Sequence, residues 1–321
     1  MTEEPDFYRP LRQENFDGEN CFLCGKKSDA KTAEHIFPKW LQHKYDLWDQ
    51  KLILTNFSPI PYRHLTVPCC PKCNNEDLSL MEEKFRKLLE RSFENLSFQD
   101  ELTIFQWTAK ILYATRYKEL SLLVDRKQPD LSKILTPMEL EGYSSLHLFL
   151  QSIRIPTSFN EPKPWSIFVF QCDDEEFFYH NNINALCVSM KFGIVAITIV
   201  FEENNLIEDF MNGFKKLKEY KINFPQYLEI NSHIFYSAIL KENVPKYFSA
   251  YNMNQNHLTV NTMGHLRSRE WDDKEFASIL DYLLNSCGID IGQSVYVSDG
   301  TLTTFLVDEN GEHLTKKLFK K

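Results

Sequence analysis

Glycine is scarce in this chain, which has ten glycines among 321 residues, well below the usual ~7%. Neither GxGxxG nor GxxxxGK occurs in the sequence. Because these glycine patterns let a backbone loop cradle phosphate groups, their absence argues against the common nucleotide-binding folds.

Long hydrophobic runs are also missing. The longest apolar stretch, residues 192–201, is about half of the ~20 residues that a membrane-spanning helix needs. The N-terminal sequence MTEEPDFYRP is acidic and lacks the basic and apolar regions of a signal peptide. We therefore expect a cytoplasmic protein with no membrane partner.

Positive charge is in deficit over the whole chain, with 36 Lys and Arg against 45 Asp and Glu and a net charge of −9. Proteins that bind nucleic acid usually present a basic surface. The segment from Cys21 to Asn75 differs, because it holds eight basic and four acidic residues, a net charge of +4. The other 28 basic and 41 acidic residues make the rest of the chain a poor surface for DNA.

Five of the eight cysteines fall in this basic segment. In a reducing compartment, such a cluster indicates metal binding rather than disulfides. The pairs Cys21-x2-Cys24 and Cys70-x2-Cys73 supply four thiolates, which complete a tetrahedral zinc site. Cys69 is the alternative to Cys70, but Cys70 has the two-residue spacing to Cys73. Four protein ligands leave no open position, so this zinc is predicted to be structural.

Two cysteine pairs by themselves are typical of a simple zinc ribbon. Here Glu34-His35, followed by Pro38, lies between the pairs, and Asn74 directly follows the last cysteine. The order CxxC, then EH, then CxxCN resembles the HNH (His-Me finger) endonucleases, in particular their zinc-stapled branch. This resemblance covers residues 20–95. More loosely, later segments such as FQWTAKILY and LHLFLQSIRIP resemble uncharacterised bacterial proteins with an N-terminal HNH module.

The resemblance implies a ββα-metal module that hydrolyses phosphodiester bonds in DNA. His35 would be the general base, since a neutral imidazole with a pKa of ~6.5 can take a proton from water. Glu34 and Asn74 would bind one catalytic Mg²⁺ or Mn²⁺, since hard divalent ions prefer oxygen ligands. The zinc would place Asn74 at the start of a helix opposite the hairpin that carries Glu34 and His35.

Two departures from the family pattern support a second interpretation. Glu34 stands where the family commonly has Asp. The middle Asn of the family has no clear match, since His64 occupies the expected place and Asn56 lies further back. A non-catalytic zinc module that binds nucleic acid or a protein would tolerate both departures. In that interpretation, His35 is a structural histidine beside a surface glutamate.

Hydrophobic spacing predicts an α+β protein in three parts. Residues 1–95 are the HNH module with its zinc, residues 96–160 a helical connector, and residues 161–321 an α+β domain. In the connector, apolar spacing predicts a helix from about Leu102 to Leu123. Thr136, Pro137 and Glu139 then predict the start of another helix, which runs to about Ile153. After residue 161, β-branched and aromatic runs predict a small, mostly antiparallel sheet, and helices with apolar stripes follow.

The acidic domain at residues 161–321 is predicted to bind a regulatory protein, a small ligand or another copy of the chain. The resemblance implies a nuclease of bacterial defence or of a mobile element, in which an accessory domain restrains cutting. The sequence therefore predicts a metal-dependent DNA endonuclease whose second part is regulatory.

Overall fold

The computed structural model divides the chain into two compact units. One unit comprises residues 1–161 with 247–261, and the other comprises residues 162–246 with 262–321. We call them the first and the second unit. The structure describes residues 11–12, 15–28, 32–91, 97–128, 130, 132–211, 214, 217, 220–264, 266–292, 294–296 and 301–307.

Helices and strands are mixed in both units, as expected for the α+β class. The helices are α1 (Lys39–Lys44), α2 (Ser79–Leu89), α3 (Phe98–Glu119), α4 (Pro137–Leu140), α5 (Ser144–Leu150), α6 (Leu206–Phe210), α7 (Phe224–Ile239) and α8 (Asp273–Ser286). The strands are β1 (Ala33–His35), β2 (Lys51–Ile53), β3 (Pro59–Pro61), β4 (Thr66–Pro68), β5 (Thr157–Phe159), β6 (Trp165–Cys172), β7 (Phe177–Asn182), β8 (Cys187–Phe192), β9 (Val195–Phe201), β10 (Lys221–Ile222), β11 (Lys246–Asn252) and β12 (His257–Met263).

The first unit contains a strand pair that is followed by a helix. β1 and β4 are antiparallel, with Glu34 opposite Val67 and His35 opposite Thr66. After β4, the chain passes through the second cysteine pair into a π-helical turn, Cys73–Leu78, and then into α2. Two strands and a helix in this order do not by themselves define a family.

Helix α3 is the central helix of the first unit. Its residues 104–117 are buried on every side of the helix, as is typical of a helix inside a core. Phe85 of α2 stacks on Trp107 of α3 with ring centroids 4.1 Å apart. The sequence predicted a start near Leu102, but the helix begins at Phe98.

The earlier start of α3 has a local cause. The Ser97 hydroxyl accepts a hydrogen bond from the Asp100 backbone N–H, and the Asp100 carboxylate accepts one from the Ser97 N–H. This reciprocal capping box satisfies two backbone donors that would otherwise lack a partner at the helix end. The polar capping residues therefore determine where α3 begins. Apolar spacing alone had predicted a start four residues later.

The helix predicted to start after Thr136 begins as expected. Thr136 and Glu139 form a capping box, and Pro137 occupies the first turn. In place of one helix up to about residue 153, the segment forms α4, a 3-10 turn, α5 and a second 3-10 turn. The first 3-10 turn contains Gly142, a residue type that costs about 1 kcal/mol in a helix interior.

Two distant segments of the first unit pair as strands. β12 lies between β11 and β5, and it is parallel to β5 with Leu258 opposite Thr157. This pairing explains why residues 247–261 belong to the first unit, whereas the sequence analysis placed them in the part from 161 to 321. Hydrophobic periodicity reports which face of a strand is buried, but it does not report the partner strand.

The second unit contains a five-stranded sheet in the order β10-β6-β9-β8-β7. All neighbours are antiparallel except β10 and β6, which are parallel, so the predicted mostly antiparallel sheet is present. Helix α7 packs on β8 and β9. From α7, the buried Tyr227 hydroxyl lies 2.7 Å from the Ser189 hydroxyl and 3.1 Å from the Thr198 hydroxyl.

This contact gives a prediction for the second unit. Tyr227→Phe should lower the free energy of unfolding by about 1–3 kcal/mol, because it leaves buried polar partners without their hydrogen bond. Tyr282→Phe is the matched control, since Tyr282 is 62% exposed, and it should change stability by less than about 0.5 kcal/mol. Urea denaturation measures both values. Equal stability of the two variants would contradict the role of the Tyr227 hydroxyl.

Candidate metal centre and neighbouring residues

Each cysteine pair lies on a tight turn. In the first, the Cys21 N–H donates to the Lys26 carbonyl at 2.9 Å, and the Gly25 N–H donates to the Cys21 carbonyl at 2.8 Å. Gly25 has a φ of +67°, and a Cβ there would lie 3.0 Å from a neighbouring ring, so this turn requires glycine. In the second, the Asn74 N–H donates to the Cys70 carbonyl at 2.9 Å.

The turns bring four thiols together. The Sγ atoms of Cys21, Cys24, Cys70 and Cys73 all lie within 4.8 Å of one another, and all four side chains are buried. The sulfurs of Cys24 and Cys70 are 3.6 Å apart. A zinc ion with Zn–S bonds of ~2.3 Å would hold tetrahedral sulfurs about 3.8 Å apart. The donor set, its spacing and its burial therefore fit a metal ion such as zinc, at the four predicted positions.

Cys69 lies beside this group without being one of its four members. Its sulfur is 3.9 Å from the Cys21 sulfur. Its backbone carbonyl accepts hydrogen bonds from the hydroxyls of Thr32, at 2.8 Å, and Ser28, at 3.1 Å. These bonds tie the end of β4 to the loop that precedes β1, so the main chain at Cys69 has a structural function of its own.

Hydrogen bonds among the four thiols separate their pKa values. The bond with Cys21 lowers the pKa of Cys70 and raises the pKa of both Cys24 and Cys73. A metal ion binds thiolates, so the remaining thiol protons must leave when it binds. Metal affinity is therefore expected to fall as the pH falls.

Helix α5 and the 3-10 turn that follows it support the first cysteine turn from outside the predicted module. The Leu23 carbonyl, between the two cysteines, lies 3.0 Å from Nε2 of Gln151 and 3.1 Å from Nε2 of His147. Both side chains are buried. Burial lowers the pKa of His147 to about 3, so the imidazole is neutral at physiological pH. Neither residue was predicted from the sequence.

Glu34 and His35 occupy adjacent positions on β1, so their side chains point to opposite sides of the strand. Glu34 is 7% exposed, whereas His35 is half-buried. The His35 ring is nearly parallel to that of Trp48, with centroids 6.5 Å apart. Burial, then the positive charges of Lys39 and Lys110, lower the pKa of His35. The imidazole is therefore neutral at neutral pH, as a general base must be.

The buried face of β1 contacts Lys110, a residue that was not predicted from the sequence. Lys110 of α3 is fully buried, and its Nζ lies 2.5 Å from Oε1 of Glu34 and 2.9 Å from Oε1 of Glu82 on α2. The same Nζ donates to the backbone carbonyls of His35 and Ile36, each at 3.0 Å. One ammonium therefore joins β1, α2 and α3.

The charges of this group shift the pKa values of Lys110 and Glu82. Burial would lower the pKa of Lys110, but the carboxylates of Glu34 and Glu82 raise it above its ordinary value. Burial raises the pKa of Glu82 to about 7, although Lys110 opposes that change. A signal for Lys110 was present in the sequence, because it is a charged residue inside the apolar run IFQWTAKILY.

The predicted divalent-ion ligands are placed as follows. Asn74 is half-buried in the π-helical turn that begins at Cys73, and Glu34 is paired with Lys110. Within the described residues, only the four cysteines form a group of three or more His, Cys, Asp or Glu side chains able to share one ion. This arrangement does not fit Mg²⁺ or Mn²⁺ on Glu34 without a change at Lys110, so that role of Glu34 and Asn74 stays a prediction.

The two residues considered for orienting His35 are placed as follows. His64 is exposed, in a 3-10 turn before β4. The Asn56 side chain is used within its own loop, where its Oδ1 accepts from the Ser58 hydroxyl at 2.6 Å and its Nδ2 donates to the Val124 carbonyl at 3.0 Å. At His35 itself, Lys110 donates a hydrogen bond to the backbone carbonyl.

Comparison of the chain with family models, curated proteins and solved structures gives no match. The class of protein therefore has to be argued from the site. In the part of the chain that the structure describes, no helix has both the length and the apolar composition needed to cross a bilayer.

The cysteine group gives a prediction about zinc. Purified protein should contain about one zinc per chain, and Cys73→Ser should lose it, because three thiolates hold the ion far less well than four. Cys69→Ser is the matched control and should keep the zinc, since Cys69 is outside the group of four. Elemental analysis of unchelated protein measures the content. Equal zinc in the two variants would contradict the assignment.

The buried histidine gives a prediction about pH. Its folded pKa is depressed, so the unfolded chain, with a histidine pKa of ~6.5, binds the proton first, and stability falls as the pH falls below that value. From pH 7.5 to pH 5.5 the loss is about 1.4 kcal/mol. His147→Gln removes this dependence. The difference in free energy of unfolding between the wild type and this variant should therefore be smaller at pH 5.5 than at pH 7.5 by that amount.

Denaturation with zinc in excess at both pH values measures the gap. Gln151→Ala is the matched control, because it removes the other partner of the Leu23 carbonyl without removing a titrating group. Its cost should be the same at both pH values. A cost of His147→Gln that does not change with pH would show that the folded protein does not hold this imidazole neutral.

Proposed function

We propose that the chain is a metal-dependent endonuclease that hydrolyses phosphodiester bonds in DNA, with His35 as the general base. The observation that carries the proposal is the position of the cysteine group. Cys70 follows β4, and Cys73 begins the helical segment that continues into α2. A metal on these cysteines would brace the strand pair that presents His35.

The state of His35 supports this role. The ring is half-buried and its pKa is lowered, so it is neutral and able to accept a proton from water at neutral pH. Its backbone carbonyl is held by Lys110, and its ring faces Trp48. A base fixed at the backbone and on one ring face needs little rearrangement before reaction.

The charge distribution supports a polyanionic substrate. The segment from Cys21 to Asn75 carries +4, whereas the rest of the chain is acidic. A basic surface around the candidate site would attract the phosphate backbone. We propose that the second unit is regulatory and binds a protein, a small ligand or a second copy of the chain. Such an arrangement suits a cytoplasmic nuclease of bacterial defence or of a mobile element.

Hydrolysis at a site of this kind uses a divalent ion, and Glu34 and Asn74 are the proposed ligands for Mg²⁺ or Mn²⁺. The ion would neutralise charge on the scissile phosphate and on the leaving oxygen. Because Glu34 is paired with Lys110, we assign no geometry to that ion.

His35→Ala tests the proposal. It should reduce nicking of supercoiled plasmid in Mg²⁺ or Mn²⁺ by at least ~100-fold, the usual loss when a general base is removed. Zinc content and DNA affinity should persist, because His35 is not one of the four cysteine ligands. His43→Ala is the matched control, since His43 stacks on the same Trp48, with centroids 5.1 Å apart, and is exposed. Equal nicking by the two variants would mean that His35 is not the base.

A non-catalytic module that binds nucleic acid or a protein is the second candidate. The observation that favours it is the pairing of Glu34 with a buried lysine, which gives the carboxylate a structural partner. Such a protein would retard DNA in a gel without nicking it in either metal. Metal-dependent nicking that is lost in His35→Ala would rule out this candidate.

A further inference from the structure

The first unit contains a cleft that the proposed function does not use. It has a volume of about 920 Å³, and its lining comes from α2, α3, the turn after α5 and the strands β5 and β12. Pockets of about 300–1,000 Å³ are typical of small-molecule sites. Of the residues that line this cleft, Leu88 and Gln106 are buried, so they form its inner end. The charged side chains of the lining are more exposed and form its rim.

Positive charge is concentrated on the α2 side of the rim. Lys84, Lys87 and Arg91 recur at intervals of three and four residues, the spacing of one helix face, and all three line the cleft. Lys87 forms an ion pair with Glu83 at 3.1 Å. Lys84 makes no hydrogen bond or ion pair with any residue that the structure describes. One ammonium at the rim is therefore available to an anion.

Two carboxylates also line the cleft, and one of them is already engaged. Asp100 accepts hydrogen bonds from the Ser97 N–H at 3.0 Å and from the Ser97 hydroxyl at 2.7 Å, and it pairs with Arg91 at 2.6 Å. Glu90, the other carboxylate, is exposed. Three basic side chains against two carboxylates leave the rim with a positive charge.

The inner end of the cleft offers a different chemistry. The Gln106 side chain is 9% exposed, and its Nε2 donates to the Ser152 carbonyl at 3.0 Å and to the Ser152 hydroxyl at 3.1 Å. Its Oε1 accepts no hydrogen bond within the described part of the chain. The side chains of Leu88, Leu102 and Pro156 add apolar surface to the lining. A ligand group that fits here is a flat apolar ring with an N–H donor.

We infer that this cleft binds a nucleoside phosphate whose base carries an amino group. The rim cations bind the phosphate, because ammonium and guanidinium groups form strong charge-assisted hydrogen bonds with phosphate oxygens. The base lies at the inner end, where its amino group donates to Oε1 of Gln106 and its ring packs on Leu88. Side chains supply all these contacts, so the site needs no glycine-rich loop. The inference is independent of the proposed function, because His35, Glu34, Asn74 and the four cysteines do not line the cleft.

Binding of ADP to the zinc-loaded full chain, at low salt and without added Mg²⁺ or DNA, tests the inference. Isothermal titration calorimetry should give a Kd below ~1 mM for the wild type. Lys84→Gln should weaken ADP binding at least ~5-fold, because a charge-assisted hydrogen bond to phosphate is lost. Arg86→Gln is the matched control, since it removes the same charge from an exposed position of α2 outside the cleft, and it should bind ADP within about twofold of the wild type.

Gln106→Met tests the inner end separately. It should weaken ADP binding at least ~5-fold and leave the binding of pyrophosphate within about twofold, because pyrophosphate contacts only the rim cations. A general loss of structure would weaken both probes together. If Gln106→Met does not fold, the comparison of ADP with pyrophosphate in the wild type decides, and ADP should bind more tightly.

Three results would overturn the inference. One is a wild type that does not bind ADP below ~1 mM, or that loses ADP equally in Lys84→Gln and Arg86→Gln. In that case, the basic residues only oppose the partial negative charge at the end of α2. Another is pyrophosphate that binds the wild type as tightly as ADP, which would leave no function for the inner end. The third is tighter binding of a 5′-phosphorylated single-stranded oligonucleotide, weakened by Lys84→Gln, which would assign the cleft to nucleic acid.

Discussion

A buried ammonium has to be neutralised, and in the first unit this requirement is met by residues from separate elements. Lys110 extends from the middle of α3, and its carboxylate partners are Glu34 on β1 and Glu82 on α2. Removing one member of such a buried group typically costs ~3–5 kcal/mol, because the remaining charge has no partner. The positions of β1, α2 and α3 are therefore coupled through one nitrogen atom. The strand that carries His35 is part of that coupling.

The cysteine group constrains the same region. It joins the turn that contains Cys21 and Cys24 to the junction between β4 and the helical segment. β4 is paired with β1, so the cysteine group and Lys110 both constrain one strand pair. His147 of α5 and Gln151 of the following 3-10 turn add a further tie through the Leu23 carbonyl. Residues beyond 95 therefore complete the site, although the sequence analysis ended the module there.

The arrangement gives a physical account of the glutamate at position 34. The longer side chain places a carboxylate oxygen 2.5 Å from a lysine inside the core. An aspartate, one methylene shorter, would keep its charge closer to the strand. Position 34, where the sequence departs from the HNH pattern that it resembles, is thus the position with a partner in α3. The same contact bears on both candidate functions, since the carboxylate proposed as a metal ligand already has a structural partner.

Local chemistry explains what could be predicted from the sequence. The four cysteines were identified because each CxxC pair forms a turn whose geometry depends on a few adjacent residues. The start of α4 followed from the capping residues Thr136 and Glu139, and the sheet of the second unit from its β-branched runs. The start of α3 was missed because a short polar capping box preceded the apolar spacing. In each of these elements, the deciding interactions lie within a few residues of one another.

Tertiary structure decided the rest. Lys110 is 75 residues from His35, whose carbonyl it binds, and His147 is 124 residues from Leu23. The pairing of β5 with β12 likewise joins segments that the sequence placed in different parts. Burial makes these contacts necessary, because a charge or a carbonyl removed from water needs a partner. The partner of each buried group depends on how the helices and strands pack. The spacing of residues along the chain does not predict that packing.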